Sequence, residues 1–188
     1  MLSADDLGKR FGPRWIFRQL ELRVEPGQVL AVVGRNGSGK STLLKVLAGL
    51  IAPSQGTLEI ACPLGYSAID LALYPQLSGH EHLELAGEFR GIESRSAELL
   101  ESVGLKDAAN VVSSRYSTGM RARLKLALAL QHRPPLLLLD EPSAALDDDG
   151  RHLITTIVAS QIAQGGAVIL ATNDHEDRRL ATHEITLD

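Results

Sequence analysis

The sequence has few of the features that mark secreted or membrane-embedded chains. Cys62 is the single cysteine among 188 residues, so no internal disulfide can form, as is usual in a reducing compartment. No apolar run approaches the roughly 18 residues that a membrane-spanning helix needs. The first ten residues lack the apolar core of a secretory signal. We therefore expect a cytoplasmic chain that can serve a membrane process only through another subunit.

An excess of positive charge is also lacking. The 19 Lys and Arg against 23 Asp and Glu give a net charge of −4, which provides no general attraction to nucleic acid or to an anionic membrane surface. The apolar fraction of 44% and the charged fraction of 22% are ordinary for a globular protein. The length fits one good core with a small subdomain.

The most informative stretch is a glycine-rich loop between a predicted buried strand, Val29–Val33, and a predicted helix that ends at Gly49. The loop Gly34–Ser41 matches the phosphate-loop pattern G-x-x-x-x-G-K-[ST] at every fixed position. Glycines let successive N–H groups turn toward phosphate oxygens, and the helix adds its positive N-terminus. Lys40 would reach the β- and γ-phosphates, and Ser41 would ligate Mg²⁺.

A second acidic cluster follows about one hundred residues later. The apolar run Leu136–Leu139 predicts a buried strand, and Asp140 and Glu141 come directly after it. Neighbouring carboxylates alternate sides of a strand, so we expect Asp140 to hold Mg²⁺ and Glu141 to polarise the attacking water. The alternative is a solvated acidic turn after a core strand.

The alternation of strands and helices predicts an α/β fold with a sheet covered on both faces. Short strands are expected within Leu2–Leu22, and an edge strand is expected at Glu184–Leu187. Four further helices are expected at His80–Phe89, Ser94–Val103, Thr118–Gln131 and Asp148–Gln164, and one more strand is expected at Ala167–Ala171.

Three stretches, in this order, resemble the motifs of the nucleotide-binding subunit of an ATP-binding-cassette (ABC) transporter: Gly34–Thr42, Tyr116–Met120 and Leu139–Asp147. The second reads YSTGM where the family signature is usually LSGGQ, with Ser117 and Gly119 matching. Its place at a helix N-terminus would make an anion site. Read alone, the same residues describe an ordinary helix cap.

The resemblance implies a P-loop NTPase fold with an ABC-type core, in which helices surround a mixed or parallel sheet. It also implies an N-terminal antiparallel β part. Residues 1–188 would form a single ATPase domain, with a helical subdomain at about 70–133 that carries the signature and is inserted in the RecA-like core.

The resemblance also implies ATP and Mg²⁺ as cofactors. Each ATP would lie between the phosphate loop of one chain and the signature of another, in a head-to-tail homodimer or a paired cassette. A separate integral membrane permease would be the partner, so the chain would sit at the inner face of the cell membrane. The residues expected to contact the nucleotide are Phe11, Gly34, Asn36, Gly37, Ser38, Gly39, Lys40, Ser41, Thr42, Ser117 and Gly119. Among these, Phe11 looks like the adenine-stacking aromatic, although simple packing would also explain a loop phenylalanine.

Two departures from the family pattern bear on the expected catalytic set of Glu141, Asn173 and Lys40. Ile69 stands where the family usually has a glutamine that touches the metal. Asn173 stands where the family usually has a histidine, and an amide can donate to a γ-phosphate oxygen but cannot carry a proton. His175, two positions on, is the alternative. These changes predict slow hydrolysis with ATP binding retained.

The short length and both departures look most like the heme-exporter ATPases of cytochrome c maturation, or relatives among simple bacterial exporters. A soluble ABC ATPase acting on DNA or ribosomes is a second hypothesis, although the long coiled-coil insertions or linked cassettes of those relatives are lacking. A third is a degenerate module that binds ATP without turnover.

Two groups of surface residues are also assigned from the sequence. The basic residues near the signature are interpreted as a solvated helix face: Arg115, Arg121, Arg123 and Lys125. Apolar residues of the helical insert are expected to dock the permease: Leu71, Leu73, Tyr74 and Leu77.

Overall fold

A computed structural model describes residues 1–187. Within this range the strands are β1 (Leu2–Phe11), β2 (Arg14–Val24), β3 (Val29–Val33), β4 (Gln55–Ile60), β5 (Leu64–Ala68), β6 (Leu136–Asp140), β7 (Ala167–Ala171) and β8 (His183–Thr186). The helices are α1 (Lys40–Leu47), α2 (Gly79–Arg90), α3 (Ser96–Ser102), α4 (Thr118–Leu130), α5 (Asp148–Ala163) and α6 (His175–Arg178). None of them is long and apolar enough to cross a membrane.

The N-terminal part is an antiparallel sheet in the order β2-β1-β4. Leu2 pairs with Val24 on one side and with Ile60 on the other. The first two strands have 10 and 11 residues, longer than the short strands expected from the sequence. Register shifts interrupt both, with Asp6 and Gln19 at φ of 49° and 55°. Because each bulge breaks the alternation of apolar and polar residues, one long strand looks like several short ones.

The central sheet is parallel, in the order β5-β6-β7-β3-β8. The strands β3, β6 and β7 are buried along their whole length, which explains why they are continuous apolar runs. The last strand lies at the edge, as predicted. Because parallel strands end at the same edge, the loops after β3, β6 and β7 meet there. The predicted fold class is confirmed: an α/β P-loop core with an antiparallel N-terminal β part and a small helical part.

The helices α2, α3 and α4 enclose a hydrophobic cluster of their own, which includes Leu83, Leu99 and Leu124. Ser78 and Glu81 form a capping box that fixes the start of α2. Of the four apolar residues expected to dock a partner, Leu71, Leu73 and Leu77 are half-buried, and Leu73 packs against this cluster. Tyr74 is 61% exposed, so it alone of the four presents an open apolar surface.

Of the four basic residues near the signature, Arg115 is exposed, but Arg123 and Lys125 are not part of the solvated face that the sequence suggested. Arg123 donates to Asp147 Oδ1 at 3.0 Å and to the Val103 carbonyl at 3.1 Å. Lys125 donates to the carbonyl of Ile69. These half-buried cations join α4 to neighbouring loops, because backbone carbonyls and one carboxylate lie within their reach.

Candidate functional site

The phosphate loop needs its glycines for both conformation and space. Gly34, Gly37 and Gly39 have φ of 154°, 83° and 106°, in the range that side chains rarely adopt. A Cβ on Gly34 would lie 2.3 Å from the Leu187 carbonyl oxygen, and one on Gly39 would lie 2.4 Å from Ile16 Cγ2. A residue with a side chain at either position would force the loop open.

The loop leaves hydrogen-bond donors free at the start of α1. Gly39 caps the helix without a side-chain hydrogen bond. Among residues 1–187, the N–H groups of Lys40, Ser41 and Thr42 have no acceptor, and the buried Ser38 hydroxyl has no partner. Unpaired buried donors are uncommon and costly. Together with the helix dipole, they make this end of α1 a site for an anion.

The ammonium group of Lys40 is held inside the loop. Its Nζ donates to the Gly34 carbonyl at 2.9 Å and to the Arg35 carbonyl at 3.4 Å, and it lies 3.6 Å from Glu141 Oε1. The side chain is only 6% exposed. A buried cation next to a carboxylate is thus in place beside the free donors.

Ser41 and Asp140 come together across 99 positions of sequence: the serine hydroxyl donates to Asp140 Oδ1 at 3.0 Å. Burial raises the pKa of the Asp140 carboxyl, and the Ser41 hydrogen bond opposes that rise. Within residues 1–187 no group of three or more His, Cys, Asp or Glu could form a metal cage. One carboxylate and one hydroxyl fit Mg²⁺, which keeps most of its waters and takes substrate phosphates as ligands.

Glu141 has an unusual backbone conformation, with φ at 49°. Its N–H donates to the Ala171 carbonyl at 2.8 Å, and its own carbonyl accepts from Ala144 N–H at 3.2 Å. These bonds hold the residue in a left-handed conformation that costs about 1 kcal/mol or more. The side chain is 27% exposed, so water reaches the carboxylate.

Asn173 contacts the phosphate loop directly. Its Nδ2 donates to Asn36 Oδ1 at 2.6 Å. The alternative, His175, has 74% of its side chain exposed and lies 3.7 Å from Glu176. Of the two candidates in this segment, the structure therefore places Asn173 at the loop.

Three predicted nucleotide contacts lie apart from this group. Ser117 is the N-cap of α4 and accepts from Met120 N–H at 3.1 Å. A Cβ on Gly119 would lie 3.3 Å from the Ala145 carbonyl oxygen, so the signature adjoins the loop after Glu141. No hydrogen bond within residues 1–187 joins Ser117 or Gly119 to the phosphate loop. Phe11 is 54% exposed, with the Lys9 ammonium 5.1 Å from its ring centre.

Sequence reasoning missed three polar contacts near the site. Lys45 of α1 pairs with Asp70 at 2.5 Å, which fixes the segment where Ile69 replaces the expected glutamine. Asp177 is a buried carboxylate that accepts from Ser143 and Thr172. None of the three contacts had a sequence signal, since their members are 25, 34 and 5 positions apart and belong to no recognised spacing.

The site combines a strand, a glycine loop and a helix with the buried Lys40, and Glu141 lies beside the lysine while Asp140 accepts from Ser41. This combination defines a nucleotide-binding protein of the phosphate-loop class. The ABC transporter family model matches residues 17–144. The chain belongs to the ABC transporter family, and it is an ATPase subunit of the nucleotide-binding cassette type.

Curated relatives and solved structures agree with this assignment. The chain is 40% identical over 184 residues to the aliphatic sulfonates import ATP-binding protein SsuB of Yersinia pestis, across 92% of this chain and 67% of the relative. It is also 40% identical to the cytochrome c biogenesis ATP-binding export protein CcmA of Bradyrhizobium diazoefficiens, across 86% of each. The ATP-binding cassette MJ0796, in a dimeric post-hydrolysis state bound to ADP and Pi, superposes with a TM-score of 0.92 at 26% identity, over 100% of this chain and 94% of that one.

Proposed function

We propose that this chain binds ATP with Mg²⁺ and hydrolyses it in a head-to-tail dimer that drives a separate membrane permease. One observation carries the proposal: two pairs of side chains converge at one edge of the parallel sheet. Lys40 Nζ lies 3.6 Å from Glu141, and the Ser41 hydroxyl donates to Asp140 at 3.0 Å. The loop would bind phosphate, and the exposed carboxylate beside it is what a hydrolase needs in addition.

The phosphates would bind to the glycine-rich loop and to the first turn of α1. Their unpaired N–H groups and the unpartnered Ser38 hydroxyl match the acceptor oxygens of a triphosphate. We assign these contacts to Gly34, Asn36, Gly37, Ser38, Gly39, Lys40, Ser41 and Thr42.

The remaining residues around the phosphates would divide the chemistry. Ser41 and Asp140 would hold Mg²⁺, which when bound neutralises charge on the β- and γ-phosphates. Glu141 would take the proton from the attacking water. Asn173 would release Asn36 and donate a neutral hydrogen bond to a γ-phosphate oxygen, while Lys40 would supply the positive charge.

The other half of each site would come from a second copy or a paired cassette. Ser117 and Gly119 lie at the accessible start of α4 and do not bond to the phosphate loop within residues 1–187, which fits a role against the nucleotide of the partner. The ATP-binding cassette MJ0796 is dimeric in its state bound to ADP and Pi, which supports a dimer of this chain. The exposed ring of Phe11 is available to stack on adenine.

We further propose that residues 1–188 form one ATPase domain, with the helical subdomain at about 70–133 facing the permease. A cavity of about 420 Å³ lies between the segment after α1, strand β5 and helices α2 and α4, and Leu50, Tyr66 and Arg90 line it. Leu50 is 56% exposed, which would let an apolar segment of the permease pack there. The chain would then lie at the cytoplasmic face of the membrane, with no nucleic acid among its partners.

For the cargo we propose heme, exported for cytochrome c biogenesis. The relative named as a cytochrome c biogenesis export protein is matched over 86% of its own length, against 67% for the sulfonate importer of equal identity. Loss of the gene should therefore abolish covalent heme attachment to c-type cytochromes. Normal cytochromes c with impaired growth on alkanesulfonates would contradict the cargo proposal and favour sulfonate import.

The ATPase proposal is tested on the purified chain by phosphate release and by dimerisation with Mg-ATP. Lys40→Ala should weaken ATP binding by about 10- to 100-fold, since hydrogen bonds from a charged group are worth about 1.5–3 kcal/mol. The control Lys106→Ala removes an equal charge from an exposed site, 69% exposed and paired with Glu101, and should bind ATP normally. Unchanged affinity in Lys40→Ala would refute the site. ATP binding with no phosphate release above that of Glu141→Gln would favour the non-hydrolysing module.

A further inference from the structure

A carboxylate outside the phosphate loop joins two of the loops at the site. Asp177, in the short helix α6, is 4% exposed. Its Oδ1 accepts from Ser143 Oγ at 2.5 Å, and its Oδ2 accepts from Thr172 Oγ1 at 3.0 Å. Ser143 lies two residues after Glu141, and Thr172 directly precedes Asn173. One buried side chain thus connects the segment of the proposed base to the segment of the proposed γ-phosphate donor.

The hydroxyl of Thr172 is also used on its other side. It accepts from the Asp174 N–H at 2.9 Å, so the Asp177 contact fixes the turn on which Asn173 lies. Asp174 in turn accepts from Arg151 of α5 at 2.6 Å. The loop after β7 is therefore held by side chains at both ends of its turn.

A carboxylate is a costly choice for packing alone. Burial raises the pKa of the Asp177 carboxyl, and the two hydroxyl bonds oppose that rise. An apolar side chain would fill the same space without desolvating a charge. What a carboxylate adds is two directed acceptor oxygens, which can hold two hydroxyls at fixed positions.

We infer that Asp177 is a positioning residue for ATP hydrolysis, which holds Ser143 and Thr172 so that Glu141 and Asn173 keep their places beside the phosphate loop. The inference rests on the hydrolase function proposed above. It goes beyond that function by giving a role to a residue that lies outside the nucleotide contacts.

The main test compares kcat and KM for ATP in Asp177→Ala and Asp177→Asn. Asp177→Ala should lower kcat about 10-fold or more with KM within about twofold, because a misplaced catalytic group slows chemistry while the binding loop is untouched. Asp177→Asn should stay within about threefold of the wild type, since its amide oxygen can accept from one hydroxyl and its amide nitrogen can donate to the oxygen of the other. Glu176→Ala, its exposed neighbour on α6, is the control and should match the wild type.

A cycle with Ser143→Ala separates positioning from packing. The double variant should lose no more kcat than Asp177→Ala alone, because both changes remove the same contact. Ser143→Ala also covers the case in which Asp177→Ala does not fold: a lower kcat at constant KM supports the role, and an unchanged kcat overturns it.

Hydrogen exchange gives a readout that does not depend on turnover. Asp177→Ala should increase exchange in residues 141–147 and 172–174, with no change in α3. The inference is overturned by unchanged exchange in both loops, by a kcat within twofold of the wild type, by a loss confined to KM, or by equal losses in the Ala and Asn variants. If the wild type shows no turnover, the hydrolase proposal fails, and the exchange data still decide whether Asp177 orders the loops.

Discussion

Glu141→Gln isolates the proposed general base because the backbone around it is held on both sides. The N–H of residue 141 donates to Ala171 at 2.8 Å, and its carbonyl accepts from Ala144 at 3.2 Å. A glutamine has the same size and would keep these bonds and the φ of 49°. The variant therefore removes two properties of the side chain, its negative charge and its ability to accept a proton, with little change in shape.

The two losses differ greatly in size. A positioned general base contributes about 100- to 10,000-fold to a rate, so kcat should fall by at least about 100-fold. The attraction to Lys40 acts over 3.6 Å, with Lys40 buried and Glu141 27% exposed. A glutamine leaves the Lys40 ammonium bonded to the Gly34 and Arg35 carbonyls, so losing this attraction should disturb the binding loop far less than losing the base slows the reaction. Removing a negative charge beside the phosphates should leave ATP binding equal or slightly tighter. ATP-bound dimers should then accumulate.

Single-turnover phosphate release gives the chemical step, and light scattering with Mg-ATP gives the dimer. Glu59→Gln is the matched control, since it makes the same charge change at an exposed position of β4. A kcat for Glu141→Gln within about threefold of the wild type would show that another group accepts the proton. A large loss of ATP affinity would show that the carboxylate organises the binding loop instead.

Two further predictions concern Asn173 and His132. Asn173→His should raise kcat about fivefold, because a charged donor to a γ-phosphate oxygen is worth about 1 kcal/mol more than a neutral one; steady-state kinetics that show no gain would argue against this contact. Burial, with a smaller contribution from Arg90, lowers the pKa of His132. The unfolded chain therefore binds a proton at this histidine more readily than the folded chain does. The free energy of unfolding should fall as the pH drops below about 6.5. Urea unfolding should show this fall, at most about 1.4 kcal/mol per pH unit. It should be absent from His132→Gln, whose amide can still donate to the Leu64 carbonyl.

The core of the fold could be predicted from sequence because its signals are local. The strands β3 and β6 are uninterrupted apolar runs that a parallel sheet buries on both faces. The glycine loop and the acidic pair stand directly after them. Since parallel strands end at one edge, both motifs lie on the same side of the sheet, while the strand order and the 3.6 Å approach of Lys40 to Glu141 come from the structure.

The remaining contacts depend on side chains that are distant in sequence. The bond from Asn173 to Asn36 spans 137 positions, and the bond from Ser143 to Asp177 spans 34. The helix α6 has four residues, too few for an apolar period, and it forms where Asp174 caps the N–H groups of Glu176 and Asp177. Nothing in the sequence indicates that Asp177 is buried while the neighbouring acidic residue, Glu176, is exposed.

In the proposed dimer, the positions of the two halves would account for the need for two chains in catalysis. The phosphate loop follows β3, and Asp140 and Glu141 lie at the end of β6. Their side chains converge because the carboxyl ends of those strands lie at the same edge of the sheet. Ser117 begins a helix of the other hydrophobic cluster, and Arg123 of the same helix is tied to Asp147. The signature is thus fixed to the loop that leads away from Glu141. A shift of that loop during chemistry in one site would move the signature offered to the second site, so the two sites of a dimer would be mechanically linked through residues 141–147.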